Sequence, residues 1–204
     1  MYFLEQMIAD LSKVAHRFSD SGMQWSNGGN LSARIPGEEL MLVKATDVAF
    51  SQICKKTLVV TDFEGNVVEG SGKPSKESLL HGFLYKKMPD IQAIMHCHSP
   101  WATSWAATRQ NLPASTYHSV LKLGGNVPVF DTKSYIVPSD FFPKILTYFE
   151  SYPGTKAFLL AGHGQVTLGK SVVDAAFLAE LVEETAQIAI LSRLLCEKKE
   201  LPAG

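Results

Sequence analysis

The chain has 204 residues, 46% hydrophobic and 19% charged, with a formal net charge of −1. That length and balance suit one globular domain spanning 1–204 with a sizeable core. The near-zero charge gives no footprint for nucleic acid, no apolar run approaches the roughly 18 residues that cross a membrane, and three scattered cysteines cannot form a disulfide framework. A reducing, cytoplasmic compartment is the expectation.

The first segment, residues 2–20, carries Phe3, Leu4, Met7, Ile8, Leu11, Val14, Ala15 and Phe18 at helical spacing. Glu5 and Asp10 interrupt its apolar pattern and no basic stretch precedes it, so it reads as an amphipathic helix and not as a signal peptide. "SNGGNLSARI" follows, a glycine-rich turn running into a short strand, Leu31 to Ile35. "ELMLVKA" and "TLVVTDFEGNVVEG" are predicted strands, the second folded back at Glu64-Gly65-Asn66. "KPSKESLLHGFLYKKMPD" is a predicted helix with Ser75 as N-cap, Glu77 in the first turn and Pro89 past its end. His81, one turn beyond Glu77, reads as a buried packing or hydrogen-bonding partner.

A strand over 91–98 comes next, then a helix from Ser99, a short strand "NVPVFD", and a helix "SDFFPKILTYFESY" whose Pro143 must lie in the first turn. "KAFLLAGHG" is a buried strand, and a long helix runs from Ser171 with Ala175, Leu178, Val182, Ala186, Ala189 and Leu194 as its packing stripe. Strands and helices intermingle without a regular repeat, which predicts an α/β fold of three layers, α/β/α, around a mostly antiparallel or mixed sheet.

"IMHCHSPWA" carries the chemistry. Residues i and i+2 of a strand face one side, so His96 and His98 point together while Cys97 turns away as a small buried hydrophobe. His163 stands between glycines at the end of another apolar strand, where the backbone can approach a site closely. A lone histidine is most often a satisfied core or surface residue. H-x-H at one strand end and G-H-G at another shift the reading to a metal centre: three neutral imidazoles with an open position suit Zn2+, with Co2+, Fe2+ or Mn2+ as alternatives. The "SNGGN" turn offers backbone N–H groups plus Asn27 and Asn30 to an anion, and the helix start at Ser75 to Glu77 offers more, with Lys76 beside them.

In this order the segments resemble the zinc-dependent class II aldolase/adducin-head family. "SNGGNLSAR" is similar to its phosphate loop, T-S-G-N-[LIV]-S-x-R, and "KATD" stands where its second phosphate loop does. "KPSKE" through "HCHSPWAT" resembles its core signature, and "LLAGHGQVTLG" its G-H-G segment. The resemblance spans about 5–195 and implies a class II aldolase-like fold. It implies His96, His98 and His163 as metal ligands, and Glu77 as the acid/base residue that also coordinates the metal when substrate is absent. Gly29, Asn30, Thr46 and Ser75, with Lys76 as a further contact, would hold a substrate phosphate. Aldolases of this family use a tyrosine shortly before "GGN" as proton donor in a neighbouring subunit; here His118 aligns with it and Tyr117 precedes it.

The implied activity is metal-dependent cleavage of a keto-sugar 1-phosphate to dihydroxyacetone phosphate and an aldehyde through a metal-stabilised enediolate. The implied assembly is a homotetramer with active sites between neighbours. A dehydratase of methylthioribulose-1-phosphate type or a decarboxylase of oxo-sugar-acid phosphates would share the metal set. A ribulose-phosphate 4-epimerase commonly has Asp where Glu77 stands, and a non-enzymatic adducin-like scaffold lacks the histidines. Asn27-Gly28 and Asp47 depart from the family's Thr-Ser and Gly.

Overall fold

The computed structural model describes residues 2–197; the side chain of Phe3, assigned above to the first helix's stripe, lies outside the described part. Helix α1 (Tyr2–Asp20) is followed by strands β1 (Asn30–Arg34), β2 (Leu40–Lys44), β3 (Leu58–Asp62) and β4 (Val67–Glu69). Then come α2 (Ser78–Lys87), β5 (Ala93–Cys97), α3 (Pro100–Ala107), α4 (Tyr117–Leu123), β6 (Val129–Phe130), α5 (Phe142–Ser151), β7 (Ala157–Leu160), β8 (Gly164–Gly169) and α6 (Val172–Glu197).

The strands make one eight-stranded sheet in the order β4-β3-β2-β1-β5-β8-β7-β6. Every pairing is antiparallel except β6 with β7. The expected mixed sheet between helical layers is what forms. Alternation along the strands sorts the core: Leu31, Ala33, Met95 and Cys97 pack against Leu11 and Phe18 of α1 and Ala175 and Ala179 of α6. Met41, Ile94, Phe158 and Val166 face the other way, onto Leu80 and Leu84 of α2 and Ile145 and Phe149 of α5. Among the described residues no helix is long and apolar enough to cross a membrane.

Several elements differ from expectation. Helix α2 begins at Ser78 with Glu77 in the N-cap place; Ser75 lies before it, its Oγ accepting from Glu77 N at 3.4 Å and its carbonyl from Ser78 N at 2.9 Å. Backbone bonding explains the delay: Ser75 N donates to Lys44 O at 3.2 Å, Thr46 N donates to Lys73 O at 2.8 Å, and Pro74 bridges to Ala45, all of which keep 73–75 extended along the end of β2. Helix α4 was not predicted; Thr116 and Ser119 cap it reciprocally and Gly124, at φ 80°, closes it. Strand β8 was not predicted; the expected strand "KAFLLAGHG" ends at Leu160, 161–163 form a turn, and β8 begins at Gly164. Leu194 is 52% exposed rather than part of the stripe, because α6 outruns the layers it packs against and 191–196 are all exposed. Pro143 does sit in the first turn of α5.

The antiparallel register places the start of β1 beside the end of β5 and the start of β8. Asn30 stands opposite His96, and Cys97 opposite Gln165. At the far sheet edge, β4 is exposed along its length and its pairing with β3 shifts register between Val60 and Thr61. Helix α3 starts immediately after this sheet end, and its first amides are capped from another helix: Glu183 of α6 accepts from Trp101 N at 2.9 Å and Ala102 N at 2.8 Å. Glu183→Ala leaves two amides without that acceptor and is expected to cost about 1–3 kcal/mol of stability in urea unfolding; an unchanged midpoint and slope would refute the cap's contribution.

Candidate metal centre

Three imidazoles converge at this end of the sheet. His98 Nε2 lies 3.0 Å from His96 Nε2, and His163 Nε2 lies 3.3 Å from it. Their ligand atoms all fall within 4.8 Å of one another. His96 occupies β5 and His98 the residue just past it, both turned to the face opposite Cys97, which is buried in the core. His163 sits in the tight turn between β7 and β8, not at a strand end; its N–H donates to Leu160 O at 3.0 Å and Gly162 takes φ 64°.

Close packing requires the neighbouring glycines. A Cβ on Gly164 would come within 2.5 Å of Cys97 O and 3.0 Å of the His98 ring, and one on Gly28 would meet His98 Nδ1 at 2.7 Å.

The chemistry of the donor set fits a divalent cation. His96 Nδ1 lies 2.9 Å from the carbonyl oxygen of Gln165, which only accepts, so the proton is on Nδ1 and the Nε2 lone pair is directed into the cluster. Burial first, and for His98 and His163 the charge of the neighbouring rings second, pushes His96 to about 4, His98 to about 3 and His163 to about 4. Protonation therefore does not relieve three crowded nitrogens near neutral pH; a metal ion does. Glu77 adds a carboxylate, with Oε2 3.4 Å from His96 Nε2. Its carboxyl is held above the usual range by burial, against the opposing pull of His163 and the Asn30 amide, whose Nδ2 donates to Oε2 at 3.1 Å. The Val137 backbone N–H also acts on this carboxyl, and among the described residues its buried Oε1 makes no well-formed hydrogen bond.

These groups form one end of a cavity of about 230 Å³. Gly29, Asn30, Thr46, Ser75 and Lys76 line it too, so every residue expected to hold a phosphate opens on the same space as Glu77 and the imidazoles. Asp47 also lines it; it has φ 59°, a left-handed conformation that favours glycine. Tyr117 and His118 are not brought here within one chain. Tyr117, on α4, is 98% exposed, and His118 lines a separate cavity with Lys122, Phe177 and Glu184.

Sequence reasoning missed four contributors. Lys44 is buried at the cavity wall, and its ammonium donates to Val48 O at 2.6 Å and Asn27 O at 3.2 Å. Burial lowers its pKa to about 8, against the opposing pull of Asp47. The signal was present: a lysine two residues after buried Leu42 in an apolar strand. Gln24, also buried, accepts the His98 N–H at 2.8 Å. Tyr135 and Ile136, in a segment left unassigned, form a cavity wall.

Comparison with known proteins places this geometry. Residues 9–190 match the family model described as class II aldolase and adducin N-terminal domain. A 3-oxo-tetronate 4-phosphate decarboxylase of Haemophilus influenzae is 32% identical over 86% of this chain and 83% of its own. A 5-deoxy-D-ribulose 1-phosphate aldolase of Bacillus thuringiensis is 30% identical over 98% of this chain and 91% of its own. A solved L-fuculose 1-phosphate aldolase superposes with a TM-score of 0.83 at 30% identity, over 93% of this chain and 87% of that one.

His96→Ala is expected to abolish stoichiometric zinc, cobalt or manganese retention, measured by elemental analysis after gel filtration. Gly164→Ala, which pushes a methyl against two ligand rings, should weaken metal affinity about 10-fold or more in chelator competition; wild-type affinity would show that the rings yield freely.

Proposed function

Because the chain belongs to the class II aldolase and adducin N-terminal domain family, we propose that it is a metal-dependent aldolase that cleaves a keto-sugar 1-phosphate to dihydroxyacetone phosphate and an aldehyde. The observation that carries this reading is the single cavity shared by the three imidazoles, the buried Glu77 and a wall rich in hydrogen-bond donors. His96, His98 and His163 would hold the ion, with Glu77 as a further ligand when substrate is absent. Zinc suits the all-imidazole set, with cobalt, iron or manganese as alternatives. A divalent cation there supplies Lewis-acid polarisation of a carbonyl and its neighbouring hydroxyl oxygen.

The phosphate would be held by the remaining lining of the same cavity. Asn30, Thr46, Ser75 and the Gly29 backbone offer neutral donors, and Lys44 and Lys76 offer charge. Glu77, beside the imidazoles, would serve the reacting carbon. As the carbon–carbon bond breaks, the electron pair stays on the ketone fragment, and Glu77 delivers a proton to that carbon. Its raised pKa suits a carboxyl that must hold a proton and then release it. The aldehyde half starts as an alcohol, whose proton must be removed. Tyr117 and His118 are the groups for that step, presented from a neighbouring copy in a homotetramer. Supporting this, α4 exposes Tyr117, Val120 and Leu121, at 98%, 51% and 75%.

A second reading, decarboxylation of an oxo-sugar-acid phosphate, is favoured by one specific observation. Loss of carbon dioxide leaves the same carbanion for Glu77 to protonate but involves no alcohol proton. It therefore needs nothing from Tyr117 or His118, which lie outside the cavity of a single chain. A dehydratase would use the same metal set, and a ribulose-phosphate 4-epimerase is disfavoured by Glu77 itself.

The test supplies dihydroxyacetone phosphate with a panel of aldehydes, and separately a 3-oxo-sugar-acid phosphate, to protein reloaded with each metal. Carbon–carbon adducts are expected in the first assay; carbon dioxide release alone would transfer the assignment to the second reading. Tyr117→Phe combined with His118→Asn should depress aldol turnover strongly and leave decarboxylation untouched. Glu77→Gln should retain the metal and lose about 10²- to 10⁴-fold in turnover in either case; a fully active variant removes Glu77 from the chemistry.

A further inference from the structure

Strand β1 and helix α2 carry a run of buried polar residues of which the proposed chemistry uses only the top. Asn30 and Ser32 lie on one face of β1, about 6.6 Å apart by strand geometry, and Glu77, His81 and Tyr85 recur at intervals of four along α2, about 6 Å apart by helix geometry. The two repeats stay in step. Asn30 meets Glu77, while Ser32 Oγ lies 2.8 Å from both His81 Nδ1 and the Tyr85 hydroxyl. Ser32, His81 and Tyr85 are 1%, 1% and 0% exposed.

The proton order along this chain follows from the donor inventory. Either oxygen of the Tyr85–Ser32 pair can donate; the order in which both hydroxyl protons find an acceptor within the trio has Tyr85 donating to Ser32. Ser32 then directs its own proton to His81 Nδ1, which must be the unprotonated nitrogen. His81 therefore carries its hydrogen on Nε2. That N–H is buried and has no acceptor among the described residues, and two acceptors in the same row lack a well-formed hydrogen bond, Glu77 Oε1 and Asn30 Oδ1, although the Val137 backbone N–H also faces the Glu77 carboxyl. A fixed donor and two buried acceptors around one carboxylate are the set of partners that an internal water needs.

We propose that His81 is a positioning residue for Glu77: its Nε2–H, locked in that tautomer by Tyr85 and Ser32, donates to a buried water that donates on to Glu77 Oε1. With Asn30 on Oε2, both oxygens of the carboxylate are then held, and its orientation toward the imidazole cluster is fixed from behind. This rests on the reading of Glu77 as the group that moves the proton. A core-filling His81 would instead be replaceable by any side chain of similar shape.

The test uses the full chain loaded with zinc. His81→Phe is expected to keep its metal and its KM but lose about 10- to 100-fold in kcat, the range typical for partners that orient a metal site's groups. His81→Gln, which keeps an N–H near the Nε2 position, should regain most of that loss. In the Glu77→Gln background, His81→Phe should cost nothing more. Equal losses for Phe and Gln, or an undiminished loss in the Glu77→Gln background, would overturn the proposal.

A second readout needs no turnover. In protein labelled with ¹⁵N-histidine, long-range NMR should show His81 as the Nε2–H tautomer, with a resonance that moves in Glu77→Gln and a mixed tautomer in Ser32→Ala. An Nδ1–H tautomer, or a resonance indifferent to Glu77→Gln, sinks the proposal even if no sugar phosphate is ever turned over. If instead the NMR result is as expected and no substrate reacts, the assigned activity fails and the relay stands.

Discussion

The hydrogen bond from His96 Nδ1 to the Gln165 carbonyl is the contact on which the site depends. It fixes one proton and thereby aims one lone pair, and the other two rings are arranged around that direction. The acceptor is a backbone atom of β8, so the metal geometry is tied to strand pairing itself: a slip of one residue between β5 and β8 would remove the acceptor and turn His96 to the wrong face. The Gln165 side chain reinforces this, since its amide donates to Ser99 Oγ at 2.6 Å and to Ala179 O at 3.1 Å. The sheet, the start of α3 and the middle of α6 are thus joined behind a single imidazole.

The cavity lining joins the three imidazoles and Glu77 to the donors of Asn27, Thr46 and Ser75. Lys44 lines it too, its ammonium weakened by burial and held by two carbonyls. An anion arriving in the cavity would favour the charged form of that lysine, so binding and local charge would reinforce each other. Glu77, in turn, gains proton affinity from the same dry surroundings. One environment thus lowers the proton affinity of the amine and raises that of the carboxylate, because burial disfavours the charged form of each.

Much of this was legible in the amino-acid sequence because it rests on short-range periodicity. His96 and His98 share a face through a period of two, and G-H-G announces a close approach; these rules hold whatever the tertiary context. What was not legible depends on contacts distant in the chain. Ser75 looked like an N-cap, yet its amide is claimed by Lys44 thirty-one positions earlier and the helix starts late. "QVTLG" has too little apolar content to stand out, and becomes a central strand only because β5 and β7 lie on either side of it. Gln24 and Lys44 read as ordinary polar residues until the fold closes over them. Helix α4 depends on a reciprocal Thr116–Ser119 cap whose second member is a serine, where a glutamate or glutamine is the usual mark.

The two margins of the sheet bear on how copies of this molecule can meet. One margin is a three-residue strand with an irregular register, and the other is a two-residue strand running parallel to its neighbour. Neither is long or flat enough to template a further strand, so fibril-like growth by edge addition is blunted at both rims. Any self-recognition would then fall to helical surfaces, where side chains can specify a closed arrangement.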